Sequence, residues 1–375
     1  MGVTAGIEIG PLAVDPPVVL APMAGVTNAV FRALCRQYGA GLYVSEMISA
    51  RALIEHGDKT RRMLTFGPDE PVRSVQLYGV DPVVVDRAVR QLVSEHEVDH
   101  VDLNFGCPVG KVTRKGGGAA LPLHQTLFRN IVRAAVDASG AVPVTVKLRW
   151  GIDADHLTAV PAGRIAADEG VAAVALHART AEQFYSGHAD WSAIAALKAA
   201  VPSVPVLGNG DIWEASDALA MIAATGCDGV VIGRGCLGRP WLFRDLVDAF
   251  AGRPVQSPPR LGVVIDTMHT HVEMLCALYG EPAGIRDFRK HVSWYLAGYP
   301  VGGDRRKRLT LAESLAALHD GLDDLDRTTA LPTDAVRIRR GHTNGPRRVH
   351  LPAGWFDSVA DPTPPEGADV LVSGG

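Results

Sequence analysis

The chain has 375 residues, 47% hydrophobic and 21% charged, a balance that excludes a disordered or fibrous protein and leaves a globular one with a sizeable core. A formal net charge of −4 excludes a global basic field, so any nucleic-acid contact must come from local patches. No apolar run reaches the ~18 residues of a membrane span, and Met1 to Pro17 carries Glu8 and Asp15 instead of a basic start and an apolar block, so the expected compartment is the cytoplasm.

From Val18 to about Phe243, short β-branched runs alternate with longer Ala- and Leu-rich stretches. Strands are predicted at Val18–Ala21, Leu42–Ser45, Val72–Gln76, Val101–Asn104, Val144–Leu148, Ala173–His177, Val204–Gly208 and Gly229–Ile232. Helices are predicted between them, among others at Pro82–His96, Leu127–Ala138, Ala159–Glu169 and Glu214–Thr225. Several strands are nearly continuous apolar runs, as expected when both faces are covered. Eight βα units in about 230 residues is the size of a TIM (β/α)8 barrel. A doubly wound sheet is the alternative, but it would place a GxGxxG turn after the first strand, and Ala21-Pro22-Met23-Ala24-Gly25 is not one.

The pattern changes after Phe243. Pro254, Pro258 and Pro259 mark a linker, and apolar positions at helical spacing follow in Val264, Met268, Val272, Leu275 and Leu278, then in Leu309, Leu311, Leu315 and Leu318. Gly298-Tyr299-Pro300 with Gly302 and Gly303 make a turn between helices. The expected fold is α/β, a TIM barrel over residues 1–250 followed by a small all-helical bundle over 251–327. Residues 328–375 lack periodicity and are expected as an extended or disordered tail.

Parallel barrels carry their chemistry at the C-terminal ends of the strands. Each predicted end here holds polar or conformationally special residues: Pro22-Met23-Ala24, Glu46, Gln76, Asn104 with Cys107, Lys147 with Arg149, His177 with Arg179, Asn209-Gly210-Asp211, and Gly233-Arg234. In the fourth, Asn104-Phe105-Gly106-Cys107-Pro108 delivers a thiol onto a Gly/Pro turn, with Lys111, Arg114, Lys115 and Gly116-Gly117-Gly118 following. Such a thiol can be a nucleophile, a metal ligand or a proton donor. The five cysteines form no CxxC, and no His/Asp/Glu cluster stands at ligand spacing, which argues against a disulfide framework and against metal. Cys35, Cys227, Cys236 and Cys276 lie in helical or apolar contexts and read as core residues.

The loops after the last two strands, Leu207 to Asp211 and Val231 to Gly235, suit a phosphate: glycines admit close approach of backbone N–H groups, and Arg234 adds charge. Lys147 reads either as a snorkelling lysine or as the partner of an anionic flavin edge. Gln76 fits a satisfied sheet-end amide or the N3–H/O4 edge of an isoalloxazine. Together they suggest FMN lying across the barrel mouth, with a reductant that binds transiently because no GxGxxG holds a dinucleotide. His177 is expected as a cofactor contact and Arg179 as a substrate or phosphate contact.

These residues carry a resemblance. Ala21-Pro22-Met23-Ala24-Gly25-Val26-Thr27-Asn28, Gln76-Leu77-Tyr78-Gly79, Asn104-Phe105-Gly106-Cys107-Pro108, Val146-Lys147-Leu148-Arg149, His177-Ala178-Arg179-Thr180, Gly208-Asn209-Gly210-Asp211, Gly233-Arg234-Gly235 and Phe288-Arg289-Lys290-His291 occur in the order found in tRNA-dihydrouridine synthases. The chain resembles that family, in its bacterial B-type form, from about Val18 to Leu325. The resemblance implies FMN-dependent, NADPH-driven reduction of uridine to 5,6-dihydrouridine in the D-loop of tRNA. It implies that Pro22, Met23, Ala24, Gln76, Lys147, Asn209, Gly210, Asp211, Gly233 and Arg234 hold FMN, that Cys107 donates a proton to C5 while C6 receives hydride, and that Asn104, Arg149 and Tyr185 face the uracil. The barrel is then catalytic and the helical region binds tRNA. Phosphate contacts are expected from Lys111, Arg114 and Lys115, from Arg286, Arg289, Lys290 and His291, and from Arg305 to Arg308, with Arg337, Arg339, Arg340, Arg347 and Arg348 as an extension. No metal or membrane partner is expected, and a monomer is the working expectation. Two rivals are an FMN-dependent reductase of a free pyrimidine, similar to dihydroorotate dehydrogenases, and a non-redox RNA-binding protein on a degenerate barrel.

Overall fold

The computed structural model describes residues 6–39, 41–55, 57–341 and 345–368. Two short strands, β1 (Ile7–Ile9) and β2 (Leu12–Val14), form an antiparallel hairpin. The remaining eight are β3 (Val18–Leu20), β4 (Leu42–Ser49), β5 (Ser74–Tyr78), β6 (His100–Phe105), β7 (Val144–Gly151), β8 (Ala173–Thr180), β9 (Val206–Asn209) and β10 (Gly229–Ile232). They close into a parallel barrel in chain order, with Val230 of β10 pairing both with Gly208 of β9 and with Val18 of β3. The TIM barrel expected from the sequence is therefore borne out, strand for strand.

Six of the eight strands run past their expected ends, while β10 ends as expected at Ile232 and β3 one residue sooner, at Leu20. β4, β7 and β8 run on to Ser49, Gly151 and Thr180, past the first polar residues. Lys147 pairs in register with Asn104 and Ala175, and Arg149 with His177. A polar side chain ends an apolar pattern without ending the backbone ladder, because the ladder is made by N–H and C=O groups common to every residue.

Local signals set the helices. Asp81 Oδ1 accepts from Val83 N at 2.8 Å, and Pro82 opens the helix Pro82–Glu95. A capping box of Glu214 and Asp217 starts Ala215–Thr225, and Gly226, left-handed at φ 69°, ends it. The main core lies between the barrel and its surrounding helices.

No sequence pattern predicts the hairpin β1–β2. Ile9 and Val14 are buried against Val19, Leu42, Val44, Ala173, Ala175, Leu207 and Val231, so the hairpin plugs the N-terminal end of the barrel. Gly41 lets the chain pass this plug: a Cβ there would stand 2.4 Å from Pro16 O and 2.5 Å from Val14 Cγ1.

Beyond the barrel come the helices Leu261–Tyr279, Glu281–Tyr295, Gly303–Thr310 and Leu315–Asp323. Val264, Met268, Val272, Leu275, Leu309 and Leu318 are buried as their spacing implies, whereas Leu311 is 59% exposed. The first two helices touch closely at Gly284, where a Cβ would lie 2.6 Å from Cys276 N. Val30 and Leu34 of the helix Ala29–Gln37, together with Trp241, join the same apolar cluster, which seats the helical region on the barrel. Each such fully buried side chain contributes roughly 1.5–3 kcal/mol.

The chain then returns to the barrel through one 3-10 turn, Thr333–Ala335, and otherwise irregular backbone with turns. Arg340 is buried and donates to Trp294 O and Ala297 O, each at 3.2 Å. Trp355 is buried, stacked on His124 at 3.7 Å between ring centroids, and its Nε1 donates to Ala120 O at 3.2 Å. Among the described residues no helix is long and apolar enough to cross a membrane.

Candidate active site

A cavity of about 1760 Å³ opens at the C-terminal ends of the barrel strands. Cys107, Lys147, Arg149, His177, Tyr185 and Arg234 all line it, as do Gln76, Asn104 and Asp211. Met23 and Ala24, after β3, and Gly210 and Gly233, after β9 and β10, complete the ring with Pro22 and Asn209.

Asn104, near the end of β6, organises the cysteine turn. Its Oδ1 accepts from Gly106 N at 3.1 Å and Cys107 N at 2.9 Å, and its Nδ2 donates to Gln76 Oε1 at 2.8 Å. Asn104 thus spends most of its polar capacity on the protein. The other side of the turn is closed by Ala119 N donating to Cys107 O at 3.0 Å. Gly118 must be glycine for this closure: its φ is +56°, and a Cβ would stand 2.5 Å from Cys107 O.

A buried polar chain supports the turn from below. Gln76 Nε2 donates to Asp102 Oδ2 at 2.6 Å, and Thr145 Oγ1 donates to Asp102 Oδ1 at 2.6 Å. His100 links Thr145 Oγ1, at 2.9 Å, to Ser74 Oγ, at 2.7 Å. Burial raises the Asp102 carboxyl to about 6, against the pull of its Thr145 and Gln76 donors and of the Lys147 charge. The sequence alone gives Asp102 no role beyond that of a polar residue in the β-like run before Cys107.

The site's electrostatics follow from enclosure. Burial pushes the Cys107 thiol up, opposed by the Val109 N–H and the charges of Arg149, Lys111 and Lys147. Burial and the neighbouring Arg149 charge bring Lys147 down to about 8, and its Nζ donates to Asn209 Oδ1 at 3.2 Å. His177 is held well below its usual range by burial, then by Arg149, Lys147, Arg179 and Arg234, so it is neutral at neutral pH.

Arg149 donates from Nε to Gly106 O at 3.0 Å and from Nη1 to Thr180 O and Phe184 O at 2.9 and 2.7 Å. Tyr185 lies between two cations, 5.6 Å from the Arg149 guanidinium and 4.5 Å from that of Arg234, measured to its ring centroid. Burial, then the Arg179 charge, lowers Arg234 to about 10.

Two residues expected at the substrate do not line the cavity. Arg179 is fully buried behind it, donating to both Asp211 oxygens at 2.8 Å, to Ser186 O at 2.9 Å and to Gly187 O at 3.0 Å. Its strand position is right, but its fork is consumed in fixing the loops after β8 and β9. Arg289 turns into the helical region and donates to Ala312 O at 3.1 Å, while its neighbour Lys290 faces the cavity beside Gly25. Consecutive residues on a helix point about 100° apart, so a basic run cannot aim all its charges one way. Lys111, Arg114 and Lys115 line the cavity from the loop after Cys107. Among the described residues no cluster of His, Cys, Asp and Glu could hold a metal ion.

The end of the cavity formed by the loops after β9 and β10 is built around Asp211. Asp211 is anchored by Arg179 and by Ala189 N at 2.7 Å, and Arg234 Nη2 stands 4.0 Å from its Oδ1. Two guanidiniums against one carboxylate leave a net positive charge. Apart from its two chain neighbours, the nearest atom to a Cβ on Gly233 would be Ala21 Cβ at 3.9 Å, so that glycine leaves open space on the cavity wall.

The Dihydrouridine synthase family model matches residues 19–329. The chain belongs to that family. A relative named as a probable tRNA-dihydrouridine synthase from Mycobacterium tuberculosis (strain ATCC 25618 / H37Rv) is 55% identical over 98% of this chain and 97% of its own length. The tRNA-dihydrouridine synthase B of Xanthomonas axonopodis pv. citri (strain 306) is 42% identical over 85% of this chain and 96% of its own length. Among solved structures, histamine dehydrogenase from Rhizobium sp. 4-9 superposes with a TM-score of 0.51 at 13% identity, covering 87% of this chain and 65% of that one, a likeness of fold alone. In this dihydrouridine synthase family member the cavity therefore sits at the end of the barrel where such folds place their chemistry.

Proposed function

We propose that this chain reduces the C5=C6 bond of a uridine in tRNA, with FMN held across the barrel mouth and NADPH as its transient reductant. The observation that carries the reading is the half-buried Cys107 thiol on the same cavity as Lys147 and the glycine loops after β9 and β10. The donor set fits a flavin phosphate and ring. Gly233 leaves open space, Arg179 and Arg234 outnumber Asp211, and Lys147 offers a cation to an anionic ring edge. Each end of the Gln76 amide already holds one protein bond, which leaves one N–H and one lone pair for a ligand.

A bound reduced flavin would supply the hydride that C6 accepts. Cys107 supplies the proton that C5 accepts, so one hydride and one proton saturate the bond. The raised thiol pKa keeps that proton on sulfur at neutral pH. Once the proton has left, Arg149, Lys111, Lys147 and the Val109 N–H stabilise the thiolate. Asn104 sets the position of the cysteine turn, and Arg149 and Tyr185 flank the space for the base. The uridine must leave the RNA stack to enter this cavity. Residues 1–250 act as the catalytic barrel, the helical region 251–327 supports the RNA, and the protein works in the cytoplasm.

Family membership favours tRNA over a free pyrimidine. The test is purified protein with NADPH and an unmodified tRNA transcript, with dihydrouridine mapped by position and free uracil and orotate run beside it. Conversion in tRNA alone is expected, with a flavin band near ~450 nm. Equal turnover of a free pyrimidine, or a protein that stays colourless after FMN is added, would overturn the reading.

A further inference from the structure

We propose that the segment Arg347–His350 forms a second RNA-binding rim, gripping backbone phosphates of the substrate on the side of the barrel mouth opposite the helical region. This rests on the tRNA reading above and extends it. The segment lies beyond residue 329, where the family match ends.

The first support is placement. The helical region meets the loops after β3 and β10: Lys290 Nζ stands 3.8 Å from the place of a Cβ on Gly25, and the Trp294 backbone crowds Gly238. The chain from Arg347 to Phe356 instead meets the loops after β6, β7 and β8, which follow strands on the far side of the closed barrel from β10 and β3. Arg347 N donates to Glu182 O at 2.8 Å, and the Arg347 guanidinium lies 4.7 Å from the Phe184 ring centroid. The Phe356 ring sits 4.3 Å from that of His156, and a Cβ on Gly110 would come within 3.3 Å of His350 Cδ2. The mouth is thus flanked from two opposite sides.

The second support is charge. The tail arginines divide by what they touch. Arg337 is ion-paired with Glu214 and Asp217, and Arg340 is buried among backbone carbonyls. Arg347 and Arg348 are exposed, line the cavity and make no ion pair with a carboxylate among the described residues. An Arg laid on an aromatic face keeps its N–H edge free for a phosphate. Lys111 and Arg114, also exposed, lie on the adjoining loop. When a single base enters the cavity, the phosphates flanking it remain at the rim, where these cations stand.

The third support is anchorage. Buried Arg340 precedes the segment and buried Trp355 follows it. Trp355 also reaches the glycine triplet, where a Cβ on Gly116 would stand 2.6 Å from its Cη2. Chain pinned at both ends loses less entropy when it binds.

The test uses the full chain and an unmodified tRNA transcript, with affinity read by fluorescence anisotropy across a salt series. Arg347→Ala/Arg348→Ala should bind about tenfold more weakly near physiological salt, with the log–log salt slope shallower by about 1.4–1.8, the release expected for two phosphate contacts. Arg347→Lys/Arg348→Lys should recover most of the slope. Wild-type affinity and slope in the alanine variant would overturn the rim and leave the tail as a brace. A wild-type protein that fails to bind tRNA at low salt would overturn the tRNA reading itself, a distinguishable result.

Discussion

Arg179→Met removes the fork that ties the loop after β8 to the loop after β9. Methionine keeps the aliphatic bulk and loses every donor. Asp211 then forfeits both 2.8 Å bonds, retaining Ala189 N at 2.7 Å and Arg234 at 4.0 Å. Removing one partner of a buried ion pair costs about 3–5 kcal/mol. The Asp211 side chain is 14% exposed, and Ser186 and Gly187 can rehydrate their freed carbonyls, which places the loss near the lower end, about 3 kcal/mol. With a urea slope of about 3 kcal/mol/M, the unfolding midpoint should fall by about 1 M. The orphaned carboxylate would also turn its charge on Arg234, so FMN affinity, titrated by flavin fluorescence, should fall at least about tenfold, or 1.4 kcal/mol. A stability loss below ~1 kcal/mol with unchanged FMN affinity would refute the claim that this pair holds the phosphate-side loop.

Cys107→Ala should retain flavin but slow dihydrouridine formation by about 10²–10⁴ in single-turnover assays, the usual weight of a general acid, and a near-wild-type rate would remove Cys107 from that role. Gly118→Ala, strained at φ +56° and aimed at Cys107 O, should cost about 1–3 kcal/mol and reduce kcat while sparing flavin affinity; an unaltered kcat would show that the turn tolerates displacement. Lys147 at about 8 loses its proton as pH rises through that value, and a group that must be charged to hold an anion makes affinity fall on the alkaline side. FMN affinity should therefore weaken above about pH 8, and Lys147→Met should abolish that dependence, as titrations from pH 7 to pH 10 can check. Lys290, though ion-paired with Asp287, faces the cavity, so Lys290→Gln should make the salt slope of tRNA binding shallower by up to about 0.9, whereas Arg289→Gln should leave the slope unaltered and lower the melting temperature, since Arg289 bonds Ala312 O.

The barrel was legible because eight buried parallel strands read as apolar runs in whatever order the helices interrupt them. The plug β1–β2 was not, since three-residue strands carry too few positions to show a period. Strand-end logic located the cavity through Cys107, Lys147 and Gly233, which are fixed by where strands stop. It did not show that Arg179 and Arg289 turn away from the cavity, because sequence gives the position of a long cation and not the direction its fork takes. Asp102 and Trp355 escaped for a related reason. One matters through Gln76 and Thr145, the other through His124 and Ala120, and such partners meet only in the folded chain.

The barrel closes when β10 reaches β3, yet the second side of its mouth arrives only as the chain runs on from Ile232 to Arg348. Folding during synthesis proceeds from the N-terminal side. A nascent barrel can therefore assemble its strands and its cysteine turn while the chain around the entrance is still unfinished. On that order, closure of the sheet would come before completion of the entrance, and the cavity would stand open on one side until Arg347 and Arg348 arrive.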